Sequence, residues 1–500
     1  MTTTSETATA RALFEARNPG TGDLVGTYPV QTEADAAAAV ERARTAFEWW
    51  SGLGHAARAE RLARFAGVLA RRANQLAAII HDETGKPPSD GALEVGLSLG
   101  HLAWAGKNAR KVLGRRRTRV GLLTFNHAAS VEYKPLGVIG VIGPWNYPVF
   151  TPLGSIVYAL AAGNAVVFKP SEFSPGVGAW LVDMFAEVVP EQPVLQLLTG
   201  DGSTGAALCR AGVDKIAFTG STDTAKRVMA VCAESLTPMV AECGGKDVLI
   251  VDRDADLEAA AGAALWAGMA NAGQSCIGTE RVYVHRQVYD EFLEKLVAQA
   301  KSVRAGADPG ARIGPITMPK QVEVIRRHMQ DAIARGGRAL TGGAEEISGQ
   351  VVQPTVLVDV PEDAAAVTDE TFGPTLTVAP VADMDEAIER ANASRYGLAA
   401  AVYSKARGAE LADRLRTGMV GVNAVFNFPQ IPSLPFGGVA DSGFGRIHGP
   451  DGLREFTFAH AVARQRFAPL MALTTFDRTP ETDTKVAKVL TMLYGRRHWE

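Results

Sequence analysis

Apolar and polar positions follow two different rhythms along this chain. In the first third, Glu33–Phe47, Ala56–Glu83 and Leu93–Val112 are rich in Ala, Leu, Arg and Glu, the strong helix formers, and predict three long helices. Before them, Asn18-Pro19-Gly20-Thr21-Gly22 predicts a turn. From Tyr133 onward, short apolar runs alternate with helical stretches. Val138–Ile142, Ala165–Phe168, Val194–Leu198 and Lys215–Phe218 are the first set of strands. Val248–Val251, Val282–His285, Val356–Val360, Leu376–Ala379, Ala400–Tyr403 and Val420–Asn423 are the second, with helices starting at Leu257 and Val288. Strands alternating with helices predict βαβ units and largely parallel sheets.

Two segments break this alternation. Arg115–Arg119, Val120–Phe125 and Ala128–Tyr133 read as a hairpin, and the tail after Thr457 changes composition again. The run of seven basic residues between Lys107 and Arg119 reads as a solvated helix end whose cations face the C-terminal dipole. No internal repeat and no low-complexity segment is present.

Length and composition narrow the classes. Five hundred residues exceed what one core holds, so at least two domains are expected. The 47% hydrophobic and 21% charged content is that of a globular protein, and a net charge of −3 gives nucleic acid no footing. Val138–Ile142, Ile156–Phe168 and Ala259–Gly273 are too short and too rich in small residues to span a membrane, and read as buried strands and a core helix. The first twenty residues lack the apolar core of a secretory leader. Four cysteines, Cys209, Cys232, Cys243 and Cys276, show neither a disulfide framework nor metal-ligand spacing. A reducing cytoplasm and no bound metal are the expectations.

Three loops leave predicted strand ends with chemistry-bearing residues: Pro144-Trp145-Asn146, Lys169-Pro170-Ser171-Glu172 and Thr219-Gly220-Ser221. Ligands of open α/β sheets sit at such ends. Gly220-Ser221 at a helix start suits a pyrophosphate, although a Ser there also serves as a plain cap. Glu172 could accept from ribose hydroxyls. Cys276 ends the small-residue segment Asn271-Ala272-Gly273-Gln274-Ser275. A cysteine taken alone is more often an inert buried hydrophobe, and Cys209 and Cys232 are read that way.

Taken together, these segments resemble the aldehyde dehydrogenase superfamily from about Asn18 to Thr457. The resemblance rests on Pro144-Trp145-Asn146-Tyr147-Pro148, Lys169-Pro170-Ser171-Glu172, Phe218-Thr219-Gly220-Ser221 and Glu242-Cys243-Gly244-Gly245-Lys246. It continues through Gly273-Gln274-Ser275-Cys276, Glu370-Thr371-Phe372-Gly373-Pro374 and Pro435-Phe436-Gly437-Gly438-Val439, then Ser442-Gly443-Phe444-Gly445-Arg446. It implies an α/β fold with a Rossmann-like parallel-sheet cofactor domain, a second α/β catalytic domain and a small β-hairpin oligomerisation arm. The implied boundaries are 1–117 with 134–244 for the cofactor domain, 245–456 for the catalytic domain, and 118–133 with 457–500 for the arm and tail.

By that resemblance Cys276 is the nucleophile, Glu242 the general base and Asn146 the oxyanion donor. Chemistry agrees: thiolates are strong nucleophiles, the alkoxide they create needs fixed donors, and a thioester needs an activated water. Glu242 favours a free acid over a coenzyme A ester as product. The implied cofactor contacts are Pro144 and Trp145, Lys169 and Glu172 at the adenosine ribose, Gly220 and Ser221 at the pyrophosphate, and Glu370 and Phe372 at the nicotinamide ribose and ring. NAD is expected because Glu172 repels a 2′-phosphate, with NADP admitted by the neighbouring Lys169.

Tyr147, Phe150, Ser275, Ile277, Phe426 and Phe428 are expected to line the aldehyde tunnel. Their apolar character predicts an aromatic or medium-to-long aliphatic aldehyde, unless an arginine reaches in from elsewhere to hold a carboxylate. Ala225 stands where the family often has glycine, and Cys243 replaces a commoner leucine; Cys243 is read as a filler. The basic amphipathic stretch from Lys485 to Glu500 is expected to pack on protein rather than on a membrane. A homodimer or homotetramer is expected from the arm. The competing readings are a coenzyme-A-acylating dehydrogenase and a non-catalytic binding protein on the same scaffold.

Overall fold

The computed structural model describes residues 12–469 and 474–495. Among them the chain forms two compact units, one running through Leu113 and resuming over Lys134–Phe458, the other made of Gly114–Tyr133 and the residues from Ala459 on.

The first unit carries two large sheets. A six-stranded sheet runs in the order Gly443–Phe444, Met239–Cys243, Lys215–Gly220, Val138–Ile142, Ala165–Lys169, Leu195–Leu197. All its pairings are parallel except that of the Gly443–Phe444 edge. Both faces are covered, which explains why Val138, Ile139, Val166 and Val167 form continuous apolar runs with no exposed side. The helices Phe150–Ala162, Pro175–Val188, Gly202–Arg210 and Thr222–Ala233 connect successive strands. The chain builds outward from Val138–Ile142, then returns to place Lys215–Gly220 on its other flank. Strand order therefore reverses between these two neighbours, and that is where the fold opens a crevice.

The second sheet has seven strands in the order Arg338–Thr341, Thr355–Val358, Thr375–Val381, Thr279–His285, Asp247–Val251, Ala399–Tyr403, Met419–Val422. It is parallel apart from the Arg338–Thr341 edge. Leu249, Val282, Val356 and Leu376 pack from its face against Ala260, Ala264 and Met269 of the helix Leu257–Met269. The stretches Ile156–Phe168 and Ala259–Gly273 thus belong to buried helices and a buried strand. Among the described residues no helix is long and apolar enough to cross a membrane.

Three expectations change. The predicted helix Ala56–Glu83 is two helices, Gly54–Arg71 and Ala73–Thr84, because Arg72 leaves helical geometry (φ −111°, ψ 18°). The turn at Asn18–Gly22 joins an antiparallel hairpin, Leu13–Arg17 with Leu24–Pro29, with the Gly20 and Thr21 N–H groups donating to Asn18 Oδ1 at 2.9 and 3.1 Å. The arm is a three-stranded sheet in the order Thr457–Gln465, His127–Pro135, Arg116–Thr118, so the tail supplies a strand. Within this second unit Arg115 pairs with Glu132 at 3.0 Å. The tail continues in a helix, Pro480–Tyr494, capped by Thr479. Residues 1–11 of the leader reading and 496–500 of the basic amphipathic stretch lie outside the described residues.

Candidate active site

The loops at the crevice form one groove, and six of the eight expected cofactor residues line it: Pro144, Trp145, Lys169, Glu172, Gly220 and Ser221. Lys169 is buried, its ammonium 3.6 Å from Glu172 Oε2. Burial lowers its pKa below the usual lysine value, against the pull of Glu172 and Asp201. Ser221 Oγ accepts the Thr224 N–H at 3.4 Å, so the cap and the groove wall are the same residue. A Cβ on Gly220 would stand 2.8 Å from the Phe218 ring, so only glycine keeps this wall open. A carboxylate for ribose hydroxyls beside a helix N-terminus for phosphate fits a dinucleotide.

Glu370 and Phe372 lie outside that groove. The Glu370 carboxylate accepts the Gly245 N–H at 3.0 Å. Its pKa is pushed up to about 8, first by burial and then by Glu280. Phe372 meets Trp145 edge to face with ring centres 5.6 Å apart, which ties its loop to the groove wall.

Cys276 follows three residues held in left-handed conformation, Asn271, Ala272 and Gly273 (φ 54°, 56° and 70°). At Gly273 a Cβ would come within 2.0 Å of Gly373 O. The small-residue segment is thus a requirement of the turn that presents the thiol. The Ser275 N–H donates to Gly273 O at 2.9 Å and the Gly278 N–H to Ser275 O at 3.0 Å, while the Cys276 N–H has no backbone partner among the described residues.

Glu242 lies near the end of the strand Met239–Cys243 and is 3% exposed. Burial pushes its pKa up to about 7. Neither carboxylate oxygen meets full hydrogen-bond geometry with a protein group, yet the Cys276 thiol lies near enough to feel Glu242 both as a charge and as a loose hydrogen-bond partner. That influence adds to burial in holding the Cys276 thiol well above its ordinary range. Gly244 and Gly245 make room for the approach. A Cβ on Gly244 would overlap the Glu370 carboxylate at 2.0 Å, and one on Gly245 would lie 2.9 Å from Cys276 O.

The Asn146 amide donates one N–H to Gln274 O at 3.0 Å, which leaves its second N–H for a ligand. Its backbone carbonyl accepts from Lys86 Nζ at 2.8 Å and from Asn271 Nδ2 at 2.9 Å. The residue is thus held at both its backbone carbonyl and its side chain.

Cys276 lines a cavity with Tyr147, Phe150, Ser275, Ile277 and Phe426. Phe428, also expected there, is not on that wall: it begins a 3₁₀ turn beside Phe436, which is on the wall, and lines an adjoining small cavity together with Ile277 and Phe426. Leu93, Leu97, Trp266, Pro429 and Ile447 complete the apolar surface. Among the described residues no arginine lines it, and the one lysine that does, Lys86, is bonded to Glu94. Sequence reasoning missed Lys86 and Glu94, which look like ordinary members of a helical region, and gave Asn271 and Gln274 no role. Cys243 is buried and its thiol is pushed up to about 12, first by burial, in keeping with a filler.

Residues 5–462 match the model of the aldehyde dehydrogenase family. The chain belongs to that family. Among its relatives, a 4,4′-diapolycopene aldehyde oxidase from Methylomonas sp is 37% identical over 93% of this chain and 86% of its own length. A relative from Mycolicibacterium smegmatis, named for succinate semialdehyde and NADP(+), is 36% identical over 89% of this chain and 87% of its own. In structure, the aldehyde dehydrogenase fold is matched by PnpE from Pseudomonas sp. WBC-3, 33% identical with a TM-score of 0.87 over 93% of this chain and 96% of that one. PnpE has also been crystallised with nicotinamide adenine dinucleotide.

Proposed function

We propose that this aldehyde dehydrogenase oxidises an apolar aldehyde, aromatic or medium-to-long aliphatic, to the free carboxylic acid through a thioester on Cys276. The observation that carries the reading is that Cys276 lines an apolar cavity while the buried Glu242 carboxylate acts on its thiol and the Asn146 amide is anchored to the Gln274 carbonyl, two residues before the cysteine.

The Cys276 thiol loses its proton to water as the aldehyde enters, and the thiolate attacks the aldehyde carbon to give the hemithioacetal alkoxide. The alkoxide is met by the free Asn146 N–H and the Cys276 backbone N–H, and losing one such donor costs about 2.7–4 kcal/mol of transition-state stabilisation. Pro144, Trp145, Lys169, Glu172, Gly220 and Ser221 hold NAD(P), with Glu370 and Phe372 toward its nicotinamide end; when bound, the dinucleotide supplies the hydride acceptor. Glu242, with a pKa near 7, then takes a proton from the water that hydrolyses the thioester. Retention of this base favours acid over coenzyme A ester as product. Glu172 favours NAD, and the adjacent Lys169 allows NADP.

The substrate class rests on the cavity wall. A carboxylate-bearing aldehyde would find no unpaired cation there, and Asp90 adds a negative charge to the lining. The name of the Methylomonas relative fits an apolar aldehyde, and that of the Mycolicibacterium relative argues for a semialdehyde. Assembly into a homodimer or homotetramer through the three-stranded arm completes the proposal.

The test is NADH formation with benzaldehyde, hexanal, decanal and succinic semialdehyde, with NAD and then NADP, beside a Cys276→Ala control. Activity on decanal or benzaldehyde that vanishes in the control, with acid as product, supports the reading. A preference for succinic semialdehyde refutes the substrate class, and a coenzyme A ester as product refutes the role of Glu242.

A further inference from the structure

Two charged residues that no motif singled out lie buried beside the catalytic centre. Lys86 and Glu94 are each 2% exposed, and the ammonium donates to the carboxylate. Lys86 precedes the helix Pro88–Leu113 and Glu94 lies within it. Their remaining bonds converge on one short loop. Lys86 Nζ donates to the carbonyl of Asn146 at 2.8 Å and sits 4.1 Å from the centre of the Tyr147 ring. Glu94 Oε1 accepts the N–H groups of Val149 and Phe150 at 2.8 and 3.0 Å.

The second set of bonds supplies what the local sequence lacks. The helix Phe150–Ala162 starts after Val149, which has no side-chain oxygen to cap it. Its first N–H groups would be buried without partners, and Glu94 provides the acceptor from another helix. The loop Asn146–Phe150 is therefore held at its first residue by the cation and at its last by the anion.

We infer that Lys86 and Glu94 are positioning residues for catalysis: their ion pair fixes the loop that aims the Asn146 amide at the alkoxide formed on Cys276. A buried ion pair is a poor stabiliser compared with apolar residues of similar size. Its placement is better explained by the geometry it imposes, because a misplacement of about 1 Å at a reacting centre can cost about 10²-fold in rate. Lys86 also borders the aldehyde cavity, but its donors are committed to Glu94, Asn146 and the Tyr147 ring, so it acts on the loop and not on the substrate. The inference rests on the oxyanion role proposed for Asn146.

The experiment is the burst of NADH formation with decanal in rapid mixing. Asn146→Ala is measured first and is expected to slow the burst about 10²–10³-fold. An unchanged burst in that variant would defeat the oxyanion reading itself. Lys86→Met with Glu94→Gln is measured next, since removing both charges leaves neither buried alone. The burst is expected to slow about 10²-fold with the aldehyde KM within about twofold of the parent. Added to Asn146→Ala, the pair should slow the burst by no more than about threefold further, the sign of one shared function. NAD binding and the thermal midpoint report the fold. Should the double variant fail to fold, Lys86→Arg keeps the charge but changes the donor geometry, and is expected to slow the burst about tenfold or more. A normal burst without the pair, an effect on KM alone, or full multiplication with Asn146→Ala overturns the inference.

Discussion

The Glu242 carboxylate lies close enough to Cys276 for its charge to oppose the thiolate, and the burial of Glu242 beside the half-buried thiol deepens that opposition. The two groups cannot both ionise at low cost, and with a pKa of about 7 Glu242 is placed to receive a proton near neutral pH, as its proposed role as base requires.

Under the proposed mechanism this sets the pH dependence of thioester hydrolysis. With Glu242 at about 7, the base is protonated below that pH and free above it. Steady-state turnover should climb with pH up to about 7 and then level, wherever hydrolysis limits the rate. Glu242→Gln should keep a rapid burst of one equivalent of NADH and then turn over slowly, with that rise in pH dependence abolished. Loss of the burst as well would give Glu242 a part in the first step.

Glu370 makes an opposite demand on stability. Its folded pKa of about 8 stands above the ordinary carboxyl value of 4.5, so the native state holds a proton that the unfolded chain releases. That contribution is complete below the ordinary value and is lost as pH rises through about 8. Glu370→Gln should therefore flatten the fall in thermal midpoint between about pH 5 and pH 9, while raising the KM for NAD. A midpoint that falls as steeply in the variant would remove Glu370 as the source.

The turn before the thiol permits a sharper test. Gly273→Ala places a methyl against the Gly373 carbonyl and adds the roughly 1–2 kcal/mol that an L-residue spends in left-handed geometry. It should lower the thermal midpoint and abolish the burst. Ala272→Gly, at a φ of 56°, should fold normally. Equal tolerance of both changes would contradict the turn geometry.

Specificity can be probed by adding the missing cation. Leu97 lines the cavity, and Leu97→Arg would give a substrate carboxylate a planar donor pair. The ratio of kcat/KM for succinic semialdehyde over decanal should rise about tenfold or more. A ratio unchanged from the parent would mean that charge on this wall does not govern choice.

The sequence was informative where local pattern and tertiary environment agree. Runs such as Val138–Ile142 and Ala165–Lys169 are buried on both faces, so their apolar continuity survives in the fold. The hairpin Leu13–Pro29 was hidden because its strands are largely exposed and alternate weakly. The break at Arg72 left no Gly or Pro to mark it. In the site, the residues proposed to carry the chemistry stood out by their motifs, whereas Phe428 lies off the cavity wall because spacing alone does not tell which way a turn faces. Lys86 and Glu94 could not be read because their importance lies in contacts made with a loop some fifty or sixty residues away.

The groove that fits a dinucleotide and the cavity that ends at Cys276 have no lining residue in common. Substitutions at Leu97, Phe150, Trp266 or Phe436 can therefore redraw the cavity proposed for the aldehyde while the walls of the other stay intact.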